Sequence, residues 1–322
     1  MAVAILESIG KYNILENLGR GAKSTLYKVQ DSETGQVYTL KRVLKESDDD
    51  YRYFEQAETE YEVSRRFTNP YLRKSLELHK IKKWLKTNEL QLLMEFVDGI
   101  TVKQAHLSKV DEIINIFTMV AQGLGSLHDL GFVHADIKPK NILLVGGDGI
   151  KIIDFGQSCP MGHQKLRIQG TPDYMAPEQV DRSFLDQRTD IFSYGATLYE
   201  VLTGAHYPTK VRATNDGGTE LTAAPNVRDI PTPVSLNPQV PASLSKLVMD
   251  CCANSPKERP ENMREVISRL EVAMTMFQRQ KSQQPATDPV PEPIAQPKPP
   301  QQNNDDYDDD SGEFERFIES IL

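Results

Sequence analysis

The sequence predicts an α+β protein of two lobes: a small, mainly antiparallel β lobe with one long helix, a larger, mainly helical lobe, and a disordered tail. Three observations predict it. Short alternating strands crowd the first hundred residues, apolar residues recur at helical spacing from Lys109 onward, and the composition breaks near residue 280. The expected division is an extension at 1–11, a small lobe at 12–97, a large lobe at 98–278, a Pro/Gln-rich linker at 279–304 and an acidic segment at 305–322.

Within the small lobe, YNILENLG, STLYKVQD and QVYTLKRV read as three strands of a meander, the last two joined by the turn Glu33-Thr34-Gly35. Residues 50–67 place Phe54, Ala57, Tyr61 and Ser64 at helical spacing before Asn69-Pro70 closes the segment. Strands near 76–84 and 89–96 complete the lobe. In the large lobe, Ile113, Ile114, Phe117, Val120, Leu124 and Leu127 mark a helix. Strands at 142–145 and 150–153 flank a glycine turn, and further helices fit 190–203, 243–252 and 263–277.

Charge narrows the partners. Of the net charge of −9, the last 42 residues carry −7, so the body is nearly neutral and the acidic segment repels nucleic acid; no nucleic-acid partner is expected. No apolar run reaches the roughly 18 residues that span a bilayer, and an early acid and lysine argue against a secretory leader. Cys159, Cys251 and Cys252 lack metal-ligand spacing. A cytoplasmic protein with no membrane partner is the expectation. Within 305–322, Phe314, Phe317, Ile318, Ile321 and Leu322 fit a short amphipathic helix that docks on a partner, although a solvated acidic tail fits the same composition.

Three motifs carry chemistry. Gly19-Arg20-Gly21-Ala22-Lys23-Ser24 joins strand to strand, where glycines let backbone N–H groups pass over phosphates; a plain hairpin turn has the same composition. Lys41, on an alternating strand, needs a carboxylate if it points inward, and Glu58, Glu60 and Glu62 are the candidates. Finally, His134-Ala135-Asp136-Ile137-Lys138-Pro139-Lys140-Asn141 precedes Asp154-Phe155-Gly156. The set offers a carboxylate for a hydroxyl, an ammonium for a phosphoryl group, and hard oxygen donors for magnesium.

In these motifs and their order, residues 12–278 resemble the eukaryotic-type (Hanks-type) serine/threonine protein kinases. The resemblance implies the bilobal protein-kinase fold, ATP and Mg2+ as cofactors, and protein substrates with Ser/Thr acceptors. It assigns Lys41 to the α- and β-phosphates with Glu60 as its partner, Glu58 and Glu62 being the alternatives. Asp136 is assigned to the substrate hydroxyl, Lys138 to the γ-phosphate, and Asn141 and Asp154 to magnesium. The adenine pocket would comprise Leu18, Leu26, Thr39 and Leu143, with Met94 behind it and the backbones of Glu95 and Val97 at its edge. Gly19, Gly21 and Ser24 would cover the phosphates. Thr171, in Gly170-Thr171-Pro172-Asp173-Tyr174, would bond near Asp136 and Lys138, as expected for serine/threonine specificity. Glu178 would pair with Arg259, and Asp190 would cap the catalytic loop from beneath.

Ser24, Thr39 and Ala135 depart from the family pattern. Ala135 replaces an arginine that receives a phosphorylated activation-loop residue, so activity without loop phosphorylation is expected. Lys140 precedes Asn141 and disfavours arginine near the acceptor. The basic run Arg73, Lys74, His79, Lys80, Lys82, Lys83, Lys86 reads as a solvated hairpin face, or as a dock for an acidic partner or this chain's own tail. The competing readings are a scaffold that binds through its tail and a kinase for small molecules. The former normally lacks one of Lys41, Asp136, Asn141 or Asp154, and Ala176-Pro177-Glu178 with Arg259 argues against the latter.

Overall fold

Alternation along the strands is what builds the small lobe. In a computed structural model of the protein, residues 8–283 are described, apart from positions 22, 46, 48, 49, 85, 148, 215–218 and 224. The acidic segment and nearly all of the expected linker lie outside the described residues. Strands β1 (Ser8–Ile9), β2 (Tyr12–Arg20), β3 (Ser24–Asp31) and β4 (Val37–Leu44) run in order, and β6 (Lys86–Glu95) lies between β4 and β5 (Ser75–Lys83). All neighbours are antiparallel. Period-two alternation puts Leu40 and Leu93 into one apolar cluster with Ile9, Tyr12 and Val29, while Val43 and Leu90 face the other way onto Phe54 and Ala57 of helix α1 (Tyr51–Ser64). Lys41 shares the Val43 face and is thereby aimed toward α1.

Helix α1 ends at Ser64, three residues short of the expected end. Arg66 N donates to Val63 O and Phe67 N to Ser64 O, tighter bonds than the helix makes, and Phe67 is buried beside Phe155 at a ring separation of 4.6 Å. Burial of this ring offsets the lost helical turn. Ser64 itself is buried, its hydroxyl donating to Glu60 O and sharing a 2.5 Å hydrogen bond with the Ser75 hydroxyl on β5.

The large lobe begins with β7 (Gly99–Thr101), which pairs with β9 (Ile142–Val145); β9 in turn pairs with β10 (Gly149–Ile152). Helix α2 (Val102–Ala105) follows β7, and α3 (Val110–Asp129) buries the expected apolar stripe from Ile113 to Leu127. Its core continues through α5 (Gln187–Thr203), α7 (Ala242–Cys251) and α8 (Met263–Gln283), with short α4 (Pro177–Val180) and α6 (Pro233–Leu236) between them. Helix α8 extends beyond the expected boundary at 278. Small ladders pin the connecting segments: β8 (Phe132–Val133) with β11 (Cys159–Pro160), β12 (His163–Gln164) with β13 (Phe184–Leu185), and β14 (Val211–Ala213) with β15 (Thr219–Leu221). Among the described residues no helix is long and apolar enough to cross a membrane.

Candidate active site

The cleft between the lobes is organised by one buried carboxylate. Glu60, on the inner face of α1, accepts from Lys41 Nζ at 2.8 Å through one oxygen and from Arg73 at 3.1 Å through the other. Of the three candidate partners for Lys41, only Glu60 faces it: Glu58 pairs with Lys80, and Glu62 with Arg65. Lys41 Nζ also lies 3.8 Å from Asp154. Burial alone would depress the lysine's pKa, but Glu60 and Asp154 outweigh it and raise the pKa above its ordinary value. Arg73 corrects the reading of the basic run as a hairpin face. Its N–H donates to Ile152 O and its guanidinium is buried against Glu60, so it belongs to the site.

Beneath the cleft, the loop from His134 to Asn141 is held by buried Asp190 on α5, which accepts from the backbone N–H of His134 and of Ala135, each at 2.8 Å. These bonds sustain Ala135 at φ +63°, a conformation a side chain resists. Burial would raise the Asp190 pKa; the hydrogen bond and charge of His128 and the His134 contacts prevail and lower it. Above the loop, Asp136, Lys138, Asn141 and Thr171 form one network. Lys138 Nζ donates to Thr171 Oγ1 at 2.6 Å, Thr171 donates to Asp136 Oδ1 at 2.7 Å, and Asn141 Nδ2 donates to Asp136 O at 2.9 Å and Oδ2 at 3.2 Å. Asp154 has φ +62° and a carboxylate 43% exposed to the cleft. Burial opposes its ionisation, yet Lys41 and Lys138 bring its pKa down to about 2, so it is anionic at neutral pH.

The ammonium groups of Lys41 and Lys138 and the carboxylates of Asp136 and Asp154 thus share one cleft. A family model described as a protein kinase domain matches residues 12–269. The chain belongs to the protein kinase family. Among its curated relatives are a probable serine/threonine-protein kinase of Clostridium acetobutylicum, 28% identical over 81% of this chain and 39% of that protein. Serine/threonine-protein kinase A of Synechocystis is 30% identical over 81% of this chain and 53% of that protein. This chain thus spans about half or less of those relatives' length. Among solved structures, the Mycobacterium tuberculosis PknI kinase domain superposes with a TM-score of 0.63 at 24% identity, covering 84% of this chain and all of that one, a likeness of fold.

The remaining kinase motifs sit as follows. The glycine loop between β2 and β3 closes with Gly21 N donating to Ser24 O at 2.8 Å. Thr39 and Met94 are buried partners across β4 and β6, Leu18 is exposed, and Leu26 and Leu143 are half-buried. The Glu95 carboxylate is tied to Lys74 N and to Lys151 Nζ, anchoring the segment toward Val97. In the activation segment, Phe155 is buried between Phe67 and His134. Arg259 binds Glu178 through two bonds of 2.7 and 2.9 Å, donates to the carbonyls of Ala253, Arg188 and Asn254, and packs over Phe192.

Sequence reasoning gave no role to four residues around the kinase site. Arg73 was hidden in a run of cations, Ser64 and Ser75 lacked any motif, and Gln179 bridges Ala135 O and Gln169 O with its side-chain amide. The position of Gln179 next to Glu178 was the one available signal for it.

Proposed function

We propose that this kinase transfers the γ-phosphate of ATP to serine and threonine hydroxyls of proteins. The observation that carries this reading is the convergence of Lys41, Asp136, Lys138, Asn141 and Asp154 on one cleft, with Thr171 bonded between Asp136 and Lys138. In it, Leu18, Leu26, Thr39 and Leu143 enclose the adenine, Met94 backs it, and the backbones of Glu95 and Val97 bind its edge. Gly19, Gly21 and Ser24 cover the phosphates, and Lys41 holds them in the orientation set by Glu60. Asp136 orients the acceptor hydroxyl and takes its proton, while Lys138 offsets charge on the transferring group.

The donor set fits magnesium. The Asn141 amide nitrogen is engaged by Asp136, which leaves the amide oxygen for a hard cation, and the Asp154 carboxylate stays ionised and open to the cleft. When bound, the metal would supply charge neutralisation for the phosphates.

Activity without activation-loop phosphorylation is supported by what surrounds Ala135. It lies in an apolar cluster with Val133, Cys159 and Leu185, so position 135 offers no guanidinium to a loop phosphate. The segment is held instead by the β8–β11 and β12–β13 ladders, by Gln179, and by Lys165 donating to Gln157 O. Ser158 is buried and the Thr171 hydroxyl is engaged, so neither is presented for modification. On the substrate side, the Glu200 carboxylate is already bonded by Lys103 and the Tyr174 hydroxyl, and with exposed Lys140 this supports no preference for arginine near the acceptor. Three buried thiols, Cys251 pushed up to about 12 by burial, suit a reducing, cytoplasmic setting.

Phosphoamino-acid analysis after transfer from ATP and magnesium to a general protein substrate tests the reading, with wild type compared before and after phosphatase treatment. Label on serine or threonine at an unchanged rate is expected. Label on tyrosine would overturn the acceptor class, and loss of activity on dephosphorylation would overturn loop independence.

A further inference from the structure

The least economical surface of the molecule is the tip of the β5–β6 hairpin. Trp84 there is 93% exposed and adopts φ +60°, with Ile81 also exposed beside it. A large aromatic ring left in water beside other apolar side chains marks a contact surface. The charges agree. Lys83 stands directly opposite Lys86 across the ladder and Lys82 opposite Thr87, and like charges so placed repel. Lys80 and His79 have carboxylate partners in Glu58 and Glu77, but the ammonium groups of Lys82, Lys83 and Lys86 form no ion pair among the described residues. The tip therefore presents an exposed aromatic ring on a strand pair that also carries three cations without an ion pair among the described residues, complementary to a segment that is both acidic and apolar.

One segment of this chain has that chemistry. Residues 305–322, DDYDDDSGEFERFIESIL, carry eight acids against Arg316 and place Phe314, Phe317, Ile318 and Ile321 at helical spacing. Between Gln283 and Asp305 the fully extended chain reaches about 75 Å. That exceeds the roughly 50 Å diameter of a compact body of this size.

We infer that the β5–β6 hairpin tip is the docking site for this chain's own segment 305–322, the acids meeting Lys82, Lys83 and Lys86 and the aromatic face covering Trp84. Lys80, further along the same hairpin, pairs with Glu58 of α1, the helix that also carries Glu60, so the docking site adjoins that helix. The inference rests on the hairpin and the segment, and stands apart from the catalytic reading.

Trp84 is the sole tryptophan of the chain, so its emission reports this site alone. The experiment compares acrylamide quenching of the full chain, a chain ending at Gln283, and a full-length variant with Asp305, Asp306, Asp308, Asp309 and Asp310 all changed to Asn. In low salt, Trp84 of the full chain should be quenched about half as steeply as in the other two. At about 1 M salt, where the Debye length falls to about 3 Å, the three should converge. Equal quenching of all three in low salt overturns the inference. So does protection that grows with protein concentration, which assigns the contact to a second copy. Protection of all three that needs anionic lipid vesicles overturns it in favour of a membrane surface.

Discussion

Two buried carboxylates, Glu60 and Glu178, are each bound by cations from elsewhere in the chain, and the contrast between them separates catalysis from stability. Glu178 and Arg259 are sealed: the arginine side chain is 0% exposed, both carboxylate oxygens are filled, and the guanidinium's other donors meet backbone carbonyls. Nothing there remains to bind a substrate. Glu60 is as deeply buried, yet its partners are only half committed. Lys41 keeps 17% exposure toward the cleft and stands between Glu60 and Asp154, while Arg73 neutralises the far oxygen. A carboxylate with two cationic partners can lend one of them to a ligand without being left unpaired.

Breaking the first site at its centre should have the largest consequence. Glu60→Gln leaves Arg73 buried without its anion, at about 3 kcal/mol of stability or more, and also releases Lys41 from its orientation. Thermal melting and initial-rate assays on the same preparation should both fall; a normal melt with lost activity would mean that Arg73 finds another partner. Arg259→Ala should cost about 3–5 kcal/mol, lowering the melting temperature by about 10 °C. Its activity per folded molecule should stay near wild type.

Gly195 sharpens the structural side of the comparison. A Cβ there would lie 2.6 Å from Cys251 Cβ and 2.8 Å from Cys252 Sγ, where α5 meets α7, so Gly195→Ala should destabilise by about 1–3 kcal/mol in a denaturant melt. The smallest effect is the pH response of Asp154. Its folded pKa lies below the unfolded value, so its contribution to stability is complete above about pH 4 and is lost as pH falls toward 2. Replacing Asp154 by Asn should therefore leave the pH dependence of melting between pH 5 and 8 unchanged, which pH-scanned melts would check.

The same contrast explains what was legible beforehand. Alternation along β3, β4 and β6 and the apolar period of α3 are local signals, and their elements lie within a few residues of expectation. Glu60 was singled out by the family resemblance, whereas the residues alone left Glu58, Glu60 and Glu62 open as partners of Lys41. The end of α1 was not legible, since Phe67 leaves the helix only to reach Phe155, nearly ninety residues away in the chain. Arg73 stayed hidden for the same reason. Its placement depends on a bridge between Leu72 and Ile152 that no local pattern announces.

The claim that Glu60 organises a working site while Glu178 supports the fold is tested most directly by the rate of phosphate transfer per folded molecule in Lys41→Met. Arg73 still neutralises Glu60 in that variant, so the fold is spared and only the cleft loses its cation. The account predicts a rate about 10²–10³ lower than wild type with melting shifted by no more than a few degrees. A rate within about tenfold of wild type, or a melt displaced as far as that of Arg259→Ala, would contradict it.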